Sequence, residues 1–425
     1  MDSLRNQSLI TCPHCWFEIH PAEFLWISQN PELQGDPKLG SEAQKRFLPS
    51  RFDYHGFAID ETGGRCESIA CPNCRLPVPR ILCETWPMYL SVLGAPASGK
   101  SYFLASSIWQ ARQRLSDFQI NFVDADPVAN QVISRNEKKL FLNEEPDKLV
   151  AVLKTETDGE LYQMVHFGGR RELFAKPFVF SVSPSEDHRL GKNAREVAKN
   201  ARALCLYDNA GEHFLPNLEA ELSPATSHLA LCKALIFVFD PIQHPNFRKK
   251  LRAFSSDPQL GGTFPTFRQD EILQEAAKRI RKKSNVSETE KLNKPLIVVV
   301  NKFDVWRPLT PKLTIDCISP YVRLDGGIAI NHVVMLKVSK YVEQLLKQFA
   351  PEIVTTCKAF SRDVIYIPLS PLGRSPEIEE HNGTLSLGVR PRSIEPIWAE
   401  VPLVYALSLQ NSRLVPISRS KQSSA

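Results

Sequence analysis

Apolar positions along the chain follow two rhythms. Apolar runs broken at most by one serine (Ser91, Ser181) and bounded by polar, Gly or Pro residues occur at Met88–Leu93, Phe178–Val182, Ala203–Tyr207, Ala234–Phe239, Pro295–Val300 and Val364–Leu369. Runs of that length without alternation predict strands buried on both faces. Phe118–Val123 predicts a further strand. Between the runs, helical spacing covers Ser101–Leu115, Pro127–Phe141, Arg268–Lys283 and His332–Phe349. In the last of these Val334, Val338, Tyr341, Val342, Leu345, Leu346 and Phe349 form one stripe, and Pro351 closes it. Strands alternating with helices predict an α/β fold with a mostly parallel sheet and helices on both faces.

The loops at the ends of these strands carry the candidate chemistry. Met88–Leu93 runs into Gly94-Ala-Pro-Ala-Ser98-Gly99-Lys100-Ser101, a full G-x-x-x-x-G-K-S, and a helix follows. Glycines let the backbone wrap a phosphate while amides and the helix N-terminus point at it. Lys100 is expected to bridge the β- and γ-phosphates, and Ser101 to ligate Mg²⁺. The strand ending in Asp208 continues as Asp208-Asn-Ala-Gly211-Glu212-His213, a D-x-x-G. Asp208 is expected to hold Mg²⁺ through water and the Gly211 amide to meet the γ-phosphate. Pro295–Val300 leads into Asn301-Lys302-Phe303-Asp304, an N-K-x-D. A carboxylate at Asp304 accepts from N1–H and the exocyclic amine of guanine, whereas adenine leaves it unpaired. Asn301 would buttress the loop and approach the base, and the Lys302 stem would cover a ring face. Ser370-Pro-Leu-Gly373, after the last strand, would bring its backbone to guanine O6.

The segment between Ser101 and Asp208 exceeds one hundred residues and holds two threonines, Thr155 and Thr157. Thr157, beside Asp158-Gly159, is the expected third Mg²⁺ ligand and sensor of the γ-phosphate. Where Ras-like enzymes have a water-orienting Gln this chain has Glu212, and His213 after it is the alternative residue to orient water, so slow, partner-stimulated hydrolysis is expected. Arg170, Arg171 and Arg189 are alternative sources of a charge-stabilising guanidinium.

The chain has 425 residues and ten cysteines, six of them in its first fifth. Cys12-Pro-His-Cys15 and Cys71-Pro-Asn-Cys74 are paired C-P-x-C turns. Two such turns complete a tetrahedral four-sulfur site that suits a structural Zn²⁺. His14, His20, His55 and Cys66 are alternative ligands. A zinc-ribbon module with a long, partly loop-like insertion is expected over 1–84. A nucleotide-binding domain with insertions at about 116–177 and 241–294 is expected over 85–410, and a disordered tail over 411–425. The segment 241–294 holds twelve Lys/Arg against six Asp/Glu, while the whole chain nets +5. It leaves a nucleic-acid-associated role open, although no aromatic stacking pattern accompanies the charge. No run reaches the length of a membrane span and no signal-peptide pattern opens the chain, so a cytoplasmic protein is expected.

GAPASGKS, DNAGE, NKFD and SPLG, in this order, resemble the motifs of small-GTPase-like P-loop proteins of the translation-factor-related (TRAFAC) class. With paired C-P-x-C turns in front, the chain is similar to the zinc-ribbon-fused bacterial double-GTPase type. The resemblance spans about residues 10–410, with Arg392–Leu409 resembling the family's last helix. It implies a Mg²⁺-dependent GTPase cycling between GTP and GDP. It also implies a protein partner, met through the zinc module or the switch segments, in bacterial conflict or defence. A guanine-nucleotide-binding assembly module with negligible hydrolysis is the competing expectation.

Overall fold

The computed structural model describes residues 9–152, 159–167, 169–215, 224–261, 264–324, 326–381 and 384–419. Its centre is a seven-stranded sheet. β1 (Trp86–Gly94) is followed by α1 (Lys100–Asp117), β2 (Ile120–Asp124) and α2 (Gln131–Phe141). A hairpin, β3 (Tyr162–Phe167) and β4 (Arg170–Ala175), precedes β5 (Phe178–Pro184), β6 (Arg202–Asp208) and β7 (Ala234–Phe239). Then come α3 (Gln269–Ser284), β8 (Leu296–Val300), α4 (His332–Phe349), α5 (Pro351–Phe360), β9 (Val364–Pro368) and α6 (Val401–Gln410). The strand order is β2-β5-β6-β1-β7-β8-β9. β1 pairs in parallel with β6 and β7, β7 with β8, and β8 with β9. β5 runs antiparallel to both β2 and β6.

Every residue of β7 and of β8 is buried, which requires cover on both faces of the sheet. α1 packs against α6 and α2, and α3 packs against α5 and a 3-10 segment, Pro224–Ala230. Because five neighbouring strands are parallel, their carboxyl ends share one edge. β1 sits where the chain order reverses, between β6 and β7, the position at which α/β sheets bind ligands.

The structure corrects several expectations. α2 begins at Gln131 rather than Pro127, because Asp126 accepts from the Val128 and Ala129 amides and holds a separate turn there. The last helix spans only Val401–Gln410, since Pro391 and Pro396 favour a 3-10 turn and extended backbone ahead of it. The segment 241–294 is not wholly an insertion. It contains α3, the crossover that parallel β7 and β8 require, with Ile272, Leu273 and Ile280 buried. Three of its cations are engaged within the fold. Arg248 donates to the carbonyls of Ile242, Phe264 and Gln259, and Arg279 pairs with Glu275. Lys294 donates to the carbonyls of Ala230 and Cys232. The expected disordered tail is packed as far as residue 419. Leu414 and Val415 are buried, and Ile417–Ser418 pairs in parallel with Ile330–Asn331.

The N-terminal module carries short strands joined by turns and loops. A four-stranded sheet orders Pro77–Val78, Ser68–Ala70, Leu25–Ile27 and Arg46–Phe47 side by side. Buried Asp60 fastens its inserted turns, accepting from the Ser28 hydroxyl at 2.8 Å and from the Gly64 amide at 2.8 Å. The module docks on the sheet through its first cysteine turn. Trp16 meets Tyr89 of β1 edge-on at 5.1 Å and Tyr207 of β6 at 5.6 Å. The Tyr207 hydroxyl donates to the Pro13 carbonyl at 2.5 Å.

Candidate functional site: a phosphate loop, a base pocket and a four-cysteine cluster

At the carboxyl edge of the sheet, β1 ends in Gly94, whose hydrogen on the Cβ side faces the Val238 carbonyl. A Cβ there would lie 2.6 Å from that oxygen. The turn needs left-handed backbone at Ala97 (φ 57°) and Gly99 (φ 87°) before α1 begins at Lys100. A side chain on Gly99 would also strike the Asn301 amide at 2.7 Å. The Lys100 ammonium arches over the loop, donating to the carbonyls of Gly94 at 3.1 Å and Ala95 at 2.8 Å. The Ser98 hydroxyl is buried within the loop and has no hydrogen-bond partner among the described residues.

Asp208 closes β6 beside Val92 of β1. The turn after it is pinned. The Asn209 amide donates to the Ser91 hydroxyl at 2.7 Å and to the Val92 carbonyl at 2.8 Å, and the Ala210 amide donates to the Tyr162 hydroxyl at 3.1 Å. Gly211 lies directly on the phosphate loop, where a Cβ would come 2.5 Å from the Pro96 nitrogen. Glu212 lines the cavity. His213 does not. Its buried ring stacks on Tyr162 at 5.0 Å. Thr155 and Thr157 lie outside the described residues.

The base-side loops are interlocked. The Asn301 amide donates to the Ser98 carbonyl at 2.9 Å, joining N-K-x-D to the phosphate loop. Trp306 Nε1 donates to the Asn301 carbonyl at 2.8 Å. Lys302, in left-handed backbone, pairs with buried Asp240 at 2.6 Å. The Ser370 hydroxyl donates to Asp304 Oδ1 at 2.5 Å and accepts from the Gly373 amide at 2.8 Å. Ser370 therefore acts here through its side chain, by aiming the Asp304 carboxylate. Burial pushes Asp304 up to about 6, against the pull of the Ser370 hydrogen bond.

These loops border one cavity of about 300 Å³, lined from Pro96–Ser101 through Gly211 and Glu212 to Asn301, Lys302, Asp304 and Ser370. Sequence reasoning missed several of its walls. Asp257 and Val152 come from segments without a local motif, and Arg374 directly follows Ser370-Pro-Leu-Gly373. Val152 is held by its amide donating to the Tyr102 hydroxyl at 3.0 Å. Among the described residues Arg374 borders the cavity, whereas Arg170, Arg171 and Arg189 do not. Arg189 instead donates to the Arg413 carbonyl at 2.9 Å.

On the module, Cys12, Cys15, Cys71 and Cys74 converge with all four Sγ atoms within 4.8 Å of one another. Cys12 and Cys74 stand 3.7 Å apart, and Cys15 and Cys71 3.6 Å apart. Four thiolates around one Zn²⁺ at about 2.3 Å stand about 3.8 Å apart, so the cluster fits a tetrahedral metal. The His14 amide points at Cys12 Sγ at 3.4 Å and the Asn73 amide at Cys15 Sγ at 3.5 Å. Burial pushes the Cys12 thiol up, while hydrogen bonds from its neighbours, Cys12 first, pull Cys15 down. A divalent cation would let all four ionise together. The His14 ring is not in the cluster. It bridges the carbonyls of Pro77 at 3.0 Å and Ala175 of β4 at 3.2 Å. Cys66 instead faces Asp60.

No family model matches the chain, and neither does any curated protein. Among solved structures, the chain is similar to the signal recognition particle receptor SRb-GTP/SRX complex from Chaetomium thermophilum. The identity is 14%, the TM-score 0.25, and the match covers 69% of this chain and 94% of that one. The Ski7 GTPase-like domain of S. cerevisiae bound to GTP shares 14% identity at a TM-score of 0.26, over 71% and 49% of the two chains. Era in complex with MgGDPNP and a 16S ribosomal RNA segment shares 12% at 0.22, over 68% and 52%. The chain thus spans about half of the latter two. Likenesses this slight assign no ligand. No described helix is long and apolar enough to cross a membrane.

The cluster geometry gives one expected outcome. Purified without chelator, the full chain should carry one zinc per molecule by elemental analysis, and Cys71→Ser should carry little or none. Wild-type protein free of metal after such a purification would refute the assignment.

Proposed function

We propose that this chain is a Mg²⁺-dependent guanine-nucleotide-binding GTPase acting as a switch. The supporting observation is the Asn301 bond to Ser98, which fixes the distance between a phosphate cradle and a base pocket ending in Asp304. In this reading the amides of Gly94–Ser101 and the Lys100 ammonium hold the phosphates. Ser101, Asp208 and Thr157 offer a hydroxyl, a carboxylate and a hydroxyl for Mg²⁺, a donor set suited to a hard cation. Bound there, Mg²⁺ would neutralise charge on the phosphate oxygens. The four cysteines would hold a structural zinc, since four thiolates leave no open position. A protein partner meeting the module or the Gly211–Phe214 turn, as the double-GTPase resemblance implies, would set the cycle. A role in conflict or defence, in the cytoplasm, follows from the same resemblance. The engaged arginines of 241–294 do not favour nucleic acid.

The second reading is a nucleotide-dependent assembly module with negligible hydrolysis. It is favoured by the His213 ring being stacked on Tyr162 while a carboxylate, Glu212, lines the phosphate side. Single-turnover hydrolysis separates the two. We expect slow but measurable phosphate release with excess protein over GTP, raised by a partner. Tight GTP binding with release no faster than buffer would sink the enzyme reading.

Base recognition has two readouts. Asp304→Asn should reverse the preference from guanine toward xanthine nucleotides, by about a hundred-fold or more in the affinity ratio. An unchanged GTP preference would refute the pocket. The pocket also works only with Asp304 ionised, because the protonated acid loses an acceptor that guanine needs. As its carboxyl is raised to about 6, GDP affinity should hold above pH 7 and fall as pH drops through about 6. Ser370→Ala removes the hydrogen bond that opposes burial, so the inflection should move to higher pH in a titration of GDP binding. A flat profile between pH 5 and 8 would contradict this.

A further inference from the structure

The cavity contains an acid that none of the four nucleotide motifs supplies. Asp257 lies in the loop between β7 and α3. One of its oxygens, Oδ1, accepts from the Gln259 amide at 2.7 Å and so caps the 3-10 turn Pro258–Leu260. Its own amide donates to the Ser255 hydroxyl at 3.1 Å, which fixes the backbone. The residue is only 4% exposed, and the other oxygen, Oδ2, is buried without a hydrogen-bond partner among the described residues. An unpartnered buried carboxylate oxygen is costly, because it has lost water and gained no donor in return. Structural roles of Asp257 use only Oδ1, so capping does not account for Oδ2.

Its surroundings narrow which donor Oδ2 can meet. Asp257 borders the same cavity as Lys302, Asp304 and Leu372. Its charge reaches Asp304 in the cavity and Asp240 behind Lys302, adding to the upward push on each, which burial mainly raises. An ionised carboxylate only accepts hydrogen bonds, so its partner must be a donor. Guanosine has few. Asp304 takes N1–H and one hydrogen of the 2-amine. The second amine hydrogen and the ribose hydroxyls remain.

We propose that Asp257 is a second acidic specificity residue of the base pocket, accepting through Oδ2 a hydrogen-bond donor of the bound guanosine that Asp304 does not take. This rests on the guanine-nucleotide reading given above and adds a residue to it. A donor on the ligand satisfies Oδ2 and disperses charge that would otherwise crowd Asp304. A nucleoside lacking that donor leaves the oxygen buried and unmet, so the site discriminates against it.

The test uses the full chain with Mg²⁺ and four probes: GDP, IDP, which lacks the 2-amine, and 2′-deoxy-GDP and 3′-deoxy-GDP, which each lack one ribose hydroxyl. Asp257→Asn keeps an oxygen for the Gln259 cap and replaces the acceptor at Oδ2 by a donor. We expect it to weaken GDP by about ten-fold or more. That penalty should collapse toward one for a single analogue: IDP if the partner is the amine, a deoxy analogue if it is a ribose hydroxyl. Ratios between ligands on one preparation do not depend on the fraction folded, so a partly unfolded variant still reports. An equal penalty for all four ligands, or none for GDP, overturns the proposal. Asp304→Asn run alongside separates the two levels. If it switches preference toward xanthosine diphosphate while Asp257→Asn is neutral, only this proposal fails. If wild-type protein does not bind GDP, or Asp304→Asn leaves the preference unchanged, the underlying reading fails and this one with it.

Discussion

The site depends on the distance between two loops that come from strands far apart in sequence, and one side-chain amide sets it. Asn301 donates to the Ser98 carbonyl and its own carbonyl accepts from the Trp306 indole, so the N-K-x-D turn and the phosphate loop move as one body. The contact is close enough to exclude a side chain at residue 99, whose left-handed backbone already favours glycine. A single interaction thus links the last glycine of the G-x-x-x-x-G-K-S loop to the first residue of N-K-x-D, and both border the same cavity. The parallel β1, β7 and β8 make it possible, because their carboxyl ends place residues 94–99 and 301–304 at one edge.

The motifs were legible because each is a short string with a strict local requirement. G-x-x-x-x-G-K-S demands its backbone path, N-K-x-D its donor and acceptor pattern, and C-P-x-C its convergent sulfurs. Buried strands were legible because β7 and β8 are apolar without alternation. Their partners were not legible, because pairing is a long-range choice. Asp240 and Asp257 look like ordinary loop acids in sequence, and only the fold brings one against Lys302 and the other into the cavity. Ser370 was read for its backbone, and its hydroxyl matters because Asp304 arrives from a different loop. The positive charge of 241–294 misled for the same reason. Local composition cannot show that Arg248 and Lys294 spend their donors on buried carbonyls.

The cysteine module illustrates the limit most clearly. Its ligands follow from spacing, whereas its place on the sheet follows from Trp16, an aromatic just past a C-P-x-C turn. That residue packs against Tyr89 and Tyr207, and Tyr207 in turn stacks on His228 at 4.2 Å. His228 meets Ser91 at 3.2 Å, and Ser91 accepts from Asn209. A line of buried contacts therefore runs from the metal turn to the residue after Asp208.

A second line reaches the same turn by another route. His14 holds the carbonyl of Ala175 on β4, and β4 is paired with β3, whose Tyr162 hydroxyl takes the Ala210 amide. The D-N-A-G turn is thus gripped on one side by the phosphate loop and on the other by two contacts that trace back to the cysteine module. Moving Ala210 away from Tyr162 strands a buried amide unless another acceptor replaces the hydroxyl, at a cost of about 1–3 kcal/mol. Moving it together with Tyr162 drags the hairpin against His14. Either way the turn after Asp208 and the four-cysteine module are joined through the β3–β4 hairpin by hydrogen bonds at both ends.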